Sequence, residues 1–318
     1  MPLHLALIAC FYIPLVAAGL STHVRVDTEG GQSAIRNPQS AIVRVAVLDL
    51  GAAQTGMRVS ERLTKLLSGA GASGQTKVAL LDRGLGRAAA RGVGYAGSLN
   101  MTLGEARSLG ASIGSDFYLT GDAQTVRRSS SSRPVYFESY ASVFVVSTRT
   151  GRLVLWDRPS AEAERAEGAE SALLAELDTR AAKYAAAILD ANAREERERF
   201  DTGALDESGA VIDLSSDERE GTRTDLREPA PYRRLRPAYT DAASRAEAEA
   251  TVDAAVEIGA DGEVGRVEIV RWAGFGLDDE VVSLIRRMHF RPAMRGGEPV
   301  AVRVLLRYNF RRPAQARN

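Results

Sequence analysis

The spacing of apolar positions changes several times along the chain, and each change marks an element. From Val43 to Gly51, Val43, Val45 and Val47 alternate with Ala46, Leu48 and Leu50 in a run that glycine ends, the pattern of a strand buried on both faces inside a sheet. Ser60 followed by Leu63, Leu66 and Leu67 predicts a helix starting at the serine, with the glycine-rich stretch 69–74 ending it. A second buried strand is expected at 77–83, then an alanine-rich helical stretch near Arg87–Arg91. Leu103, Ala106 and Leu109 give a further helix, stopped by Gly110 and Gly114. Strands follow at 116–126, 135–148 and 152–158, the last two joined by the hairpin signal Arg149-Thr150-Gly151. Leu173, Leu177, Ala181, Tyr184 and Ile188 then repeat at helical spacing. The expected order over 43–192 is β-α-β-α-β-β-β-α, a layered αβ domain.

Between 193 and 230 the pattern gives way to charge, with REERERF and SSDEREGTRTDLREPAP, and the stretch reads as a solvated linker in which only the apolar piece 210–214 docks locally. Periodicity returns in the domain expected at 231–318. Residues 251–271 read as a hairpin turning at Asp261-Gly262. Leu277, Val281, Leu284, Ile285 and Met288 share one helical face, with Asp278, Asp279 and Glu280 in the first turn and Arg286 and Arg287 in the last, as the helix dipole favours. A final strand, 299–310, sets Val300, Val302, Val304, Leu306, Tyr308 and Phe310 against Arg303, Leu305, Arg307 and Asn309, so one face is buried and one exposed. The order is β-β-α-β, and the whole chain is expected to be α+β.

Composition narrows the function classes. The 318 residues carry 41 Lys plus Arg against 41 Asp plus Glu, and this zero balance argues against broad nucleic-acid binding, which needs a basic excess. With one cysteine, Cys10, no intramolecular disulfide can form, and His4, His23 and His289 are too scattered for a zinc site. Residues 3–20 are almost wholly apolar, so residues 1–20 read as an address out of the cytoplasm, followed by a spacer over 21–42. Three forms stay open: a signal cleaved after Ala18, an uncleaved membrane anchor, or a lipoprotein whose lipidation site is Cys10. Gly84-Leu85-Gly86 with Glu105 some twenty residues on has a dinucleotide-like spacing, but the strand before it is the second and Asp82-Arg83 intervene, so a turn opening a helix is the better reading. No Gly-x-Ser-x-Gly elbow is present. The chain is expected to be a non-enzyme with no catalytic residue, cofactor or metal.

Two family resemblances add to this. Pro237-Ala238-Tyr239, Asp261-Gly262-Glu263-Val264, Gly276-Leu277-Asp278, Phe290-Arg291-Pro292-Ala293 and Gly297-Glu298-Pro299-Val300, in that order, resemble the TonB C-terminal domain; Thr240 stands where that family has proline. VRVAVLDL, LLDR and LGASIGSDFYLTGDAQ resemble the domain of CsgG-type curli secretion lipoproteins. The first resemblance implies binding of envelope proteins by strand addition, with segments of outer-membrane receptors as the partners and energy transduction for transport as the narrower role. The second implies the alternative, an outer-membrane-associated assembly or secretion factor. Either places the chain in the periplasm or cell envelope, attached to a membrane through its N-terminus, the inner one if the anchor is retained. The expected partner-binding edge is the last strand, at Val300, Val302, Arg303, Val304, Leu305, Arg307 and Tyr308, for a partner segment or a second copy in a homodimer.

Overall fold

A computed structural model describes residues 42–70, 77–129, 135–201, 211–215 and 225–312. The address at 1–20 with Cys10, the spacer up to residue 41, and parts of the charged stretch lie outside the described residues. Both helices and strands are present in quantity, giving the α+β class expected from the patterns. No helix among the described residues is long and apolar enough to cross a membrane.

The chain opens with β1 (Ile42–Val47), α1 (Gln54–Ala70), β2 (Lys77–Leu80), α2 (Arg83–Gly92), α3 (Leu103–Ile113), β3 (Phe117–Arg128), β4 (Tyr136–Ser147), β5 (Leu153–Asp157), β6 (Ser160–Ala163) and α4 (Ala166–Asp201). One sheet runs β2-β1-β3-β4-β5, with β6 also on β4. β1 is parallel to β2 and β3, and the strands after β3 are antiparallel. The alternation along β1 decides which layer each residue joins. Val43, Val45 and Val47 pack with Leu63 and Leu67 of α1 and Leu173, Leu177 and Ile188 of α4. Ala46 and Leu48 enter the opposite layer with Ala90 of α2 and Ala106 and Leu109 of α3.

Three local expectations need correction. Helix α1 begins at Gln54, six residues before Ser60. Ser60 is a buried interior residue whose hydroxyl donates to Gly56 O (2.8 Å) and accepts from Leu50 N–H (3.0 Å), so its polarity ties the helix to the loop that leaves β1 and does not cap. Gly110 is inside α3, which stops only at Gly114. The charged residues 193–201 continue α4, where Glu195 meets Arg149 (2.9 Å) and Thr150 (3.3 Å), so this part of the expected linker is helical.

The remaining elements are β7 (Ile212–Asp213), β8 (Leu226–Arg227), β9 (Ala230–Pro231), α5 (Asp241–Ala246), β10 (Ala250–Ile258), β11 (Val264–Arg271), α6 (Leu277–Ile285), β12 (Phe290–Arg291), β13 (Ala293–Arg295), β14 (Glu298–Val300) and β15 (Val302–Phe310). The second sheet is ordered β11-β10-β15-β7. Helix α6 covers one face with Leu277, Val281, Leu284 and Ile285, all buried. Gly262, at φ +84° in the β10–β11 turn, lies so close to Phe290 O that a Cβ there would sit 2.0 Å from it.

The described residues form one compact unit, and the two sheets share a core. Phe144 of β4 stacks on Trp272 (centroids 5.8 Å apart) and meets Phe275 edge-on (5.7 Å), while Trp156 of β5 lies 5.2 Å from Phe275. Polar groups fasten the same seam. The Asn100 amide donates to the carbonyls of Thr251 and Trp272 (2.7 Å each) and accepts from Thr251 N–H (3.0 Å), and the Trp272 indole donates to Gly151 O (3.0 Å).

Candidate partner-binding edge

Strand β15 pairs antiparallel with β10 over its whole length, from Val302 opposite Ile258 to Phe310 opposite Ala250. Its even-numbered residues face α6 and the core. Val302 and Phe310 are buried, Val304, Leu306 and Tyr308 are partly buried against the core, and the Tyr308 hydroxyl lies 3.6 Å from Met288 Sδ. Burial of the ring pushes the Tyr308 hydroxyl pKa up. Val300 leaves this row, because the strand breaks at Ala301 and Val300 belongs to β14, opposite Ala293.

Backbone groups alternate in the same way. Ile212 N–H donates to Ala301 O (3.1 Å) and Leu214 N–H to Arg303 O (2.7 Å), so odd-numbered residues of β15 direct their backbone polar groups away from β10. Among the described residues β7 pairs only with Val302 and Arg303. Beyond that point Leu305 and Asn309 carry edge-directed backbone groups, and Leu305 exposes 38% of its surface. The edge is therefore a ledge that begins where a two-residue strand stops.

The two arginines of the expected edge, Arg303 and Arg307, are engaged within the chain. Arg303 pairs with Glu268 (2.9 Å), and Arg307 pairs with Asp253 (2.7 Å), its direct cross-strand neighbour. Asp253 is only 3% exposed and also receives Arg271 (3.3 Å). Burial pulls the Glu268 carboxyl up, but hydrogen bonds from Arg152 and Arg303 and the nearby charges of Arg152 and Arg266 outweigh this and leave it below the ordinary range. The sequence reading missed these acids although both lie at outward positions of the β10–β11 hairpin, facing the same side as the arginines.

The Gly84–Gly86 segment opens α2 under an aspartate cap, with Asp82 Oδ1 accepting from Leu85 N–H (2.9 Å). A carboxylate stands where a phosphate would be held, which favours the turn reading. His289 is exposed, with Glu263 3.0 Å from its Nδ1.

Comparison with known proteins adds to this geometry. The profile described as Gram-negative bacterial TonB protein C-terminal matches residues 236–311. A search of curated proteins finds no match. Among solved structures, the C-terminal domain of Pseudomonas aeruginosa TonB is similar at 21% identity and a TM-score of 0.24, covering 33% of this chain and 96% of that one. The hypothetical protein CT253 of Chlamydia trachomatis aligns at 13% identity and a TM-score of 0.31, covering 46% and 98%. A PelC dodecamer from Paraburkholderia phytofirmans aligns at 12% identity and a TM-score of 0.27, covering 47% and 88%. Residues 236–311 belong to the TonB C-terminal domain family.

Proposed function

We propose that the protein is a TonB-like cell-envelope adaptor that binds extended segments of other envelope proteins by adding them as a strand to β15. The observation that carries this reading is the ledge itself: a register-fixed strand whose inner row is held by the core and whose outer backbone groups at Leu305 and Asn309 face away from the sheet. The family match supports the same mode, in which main-chain hydrogen bonds supply affinity and alternate side chains supply specificity. A periplasm-facing segment of an outer-membrane receptor is the partner the reading names, and transfer of energy to such a receptor is its narrower form. The arginine pairs contribute indirectly. By neutralising Asp253 and Glu268 they keep the outer face of the sheet rigid, so partner choice rests on backbone pairing and on Leu305.

Leu305→Pro tests this. It removes one edge-directed N–H without breaking the β10 ladder, because residue 305 does not donate to β10. Loss of that bond and of strand geometry around it corresponds to about 1–2 kcal/mol, or roughly tenfold weaker binding of a receptor segment. Unchanged affinity in a folded variant would remove β15 as the binding edge.

A further inference from the structure

The outer strand of each sheet lines the same groove. β5 is an edge of the first sheet and β11 an edge of the second, and four consecutive residues of each, 153–156 and 266–269, wall a cleft of about 570 Å³. That volume falls within the range of sites that bury a ligand. The backbone of β11 is open toward it. Residues 268 and 271 point to β10, which leaves Val267 and Ile269 directed outward, and neither meets a backbone partner on that side among the described residues. Farther along, the first half of the chain already takes up this edge. Thr102 forms an antiparallel bridge with Arg271, and Trp272 N–H donates to Met101 O (3.2 Å). Strand addition to β11 is thus begun by the protein's own residues and left unfinished from Ile269 back to Val264.

The groove also has chemistry. Both tryptophans of the chain, Trp156 and Trp272, line it beside Ile269 and Val282, giving an apolar floor. The buried Trp156 indole N–H has no hydrogen-bond acceptor among the described residues. Glu268 is neutralised by Arg152 and Arg303. Asp279, which lines it together with Gly274 and Gly276, is exposed and has no ion-pair partner among the described residues.

We propose that this groove binds a second extended segment of a partner protein, apolar against the tryptophans and basic where it meets Asp279, which adds as a strand to β11. The site is separate from the β15 ledge, across the full width of the second sheet, and exists only because the two halves of the chain are docked. The protein would then hold partner strands at both edges of that sheet.

The test uses the full chain and synthetic peptides of ~9 residues, long enough to span a strand of this length. They alternate valine and threonine and carry one lysine, or one glutamate as the control. Emission from Trp156 and Trp272 reads binding directly. The lysine peptides should give a saturable change. Val267→Pro should weaken their binding at least tenfold, and Asp279→Lys at least threefold for the lysine peptide alone, while Leu305→Pro leaves both unaffected. Should Val267→Pro fail to fold, judged by circular dichroism, Asp279→Lys decides the matter. No emission change with any peptide, or unchanged affinity in these two variants, overturns the proposal. So does sedimentation showing self-association that Val267→Pro abolishes, because the occupant is then a second copy. Loss of binding in Leu305→Pro alone would leave the β15 reading standing and this one refuted.

Discussion

Gly274→Ala should weaken the whole folded unit, because Gly274 lies where the two sheets meet. Its φ is +73°, and a Cβ built there would lie 2.4 Å from Phe144 Cε1 and 3.0 Å from Trp156 Cδ1. The left-handed conformation costs an alanine roughly 1–2 kcal/mol relative to glycine. Phe144 is fully buried and stacked on Trp272, so it cannot swing away freely, and overpacking of this kind costs about 1–3 kcal/mol. The expected loss is about 2–5 kcal/mol. Urea unfolding followed by tryptophan emission and by far-ultraviolet circular dichroism measures it. Both tryptophans report the seam, while the circular dichroism signal is dominated by helices such as α4, which packs on the opposite face of the first sheet. If the seam joins the halves into one cooperative unit, the two signals change together in wild type and variant alike. A loss below about 1 kcal/mol, or separate transitions in the wild type, would refute the argument.

Two further outcomes follow from named groups. Asn100→Ala leaves the Thr251 N–H and the carbonyls of Thr251 and Trp272 without their partner, and should cost about 2–4 kcal/mol in the same urea experiment, whereas a loss under 0.5 kcal/mol (about the scatter of surface changes) would mean the amide fastens nothing. Burial pushes the Asp278 carboxyl up to about 6, against the pull of hydrogen bonds from Ala273 and Gly274 N–H. A raised carboxyl pKa means that the folded state holds its proton more tightly than the unfolded state, so this contribution is present in full at acid pH and is lost as pH rises from about 4 to about 6, by at most ~3 kcal/mol. Asp278→Asn should flatten that part of the stability profile, and an unaltered profile would show that Asp278 does not titrate there.

What the sequence revealed follows the range of the forces involved. Elements set by local periodicity could be read: β1 from its valines, α6 from Leu277, Val281, Leu284 and Ile285, and the β10–β11 turn from Asp261-Gly262. The facing of β15 was also legible, because alternation fixes which residues meet the helix. Ser60 misled because a serine before leucines looks like a cap, and only its bonds to Gly56 and to Leu50 in the loop after β1 show otherwise. The helical extension over 193–201 was hidden because charge resembles a linker until Arg149 and Thr150 supply the partners of Glu195. The expected local docking of 210–214 has a counterpart in β7, although its place on β15 is a long-range fact. Above all, the Phe144–Trp272–Phe275 cluster joins residues more than a hundred positions apart, and no local pattern encodes that meeting.

The central claim is that a partner segment adds to the outer edge of β15, and amide hydrogen exchange resolved by residue tests it most directly. The full chain would be followed with and without a peptide from the periplasm-facing segment of an outer-membrane receptor. Leu305 and Asn309, whose N–H groups point off the sheet, should exchange at least tenfold more slowly when the peptide is bound. Leu306 and Tyr308, already bonded to β10, should change little. Bound peptide with no slowing at Leu305 and Asn309 would contradict strand addition at this edge.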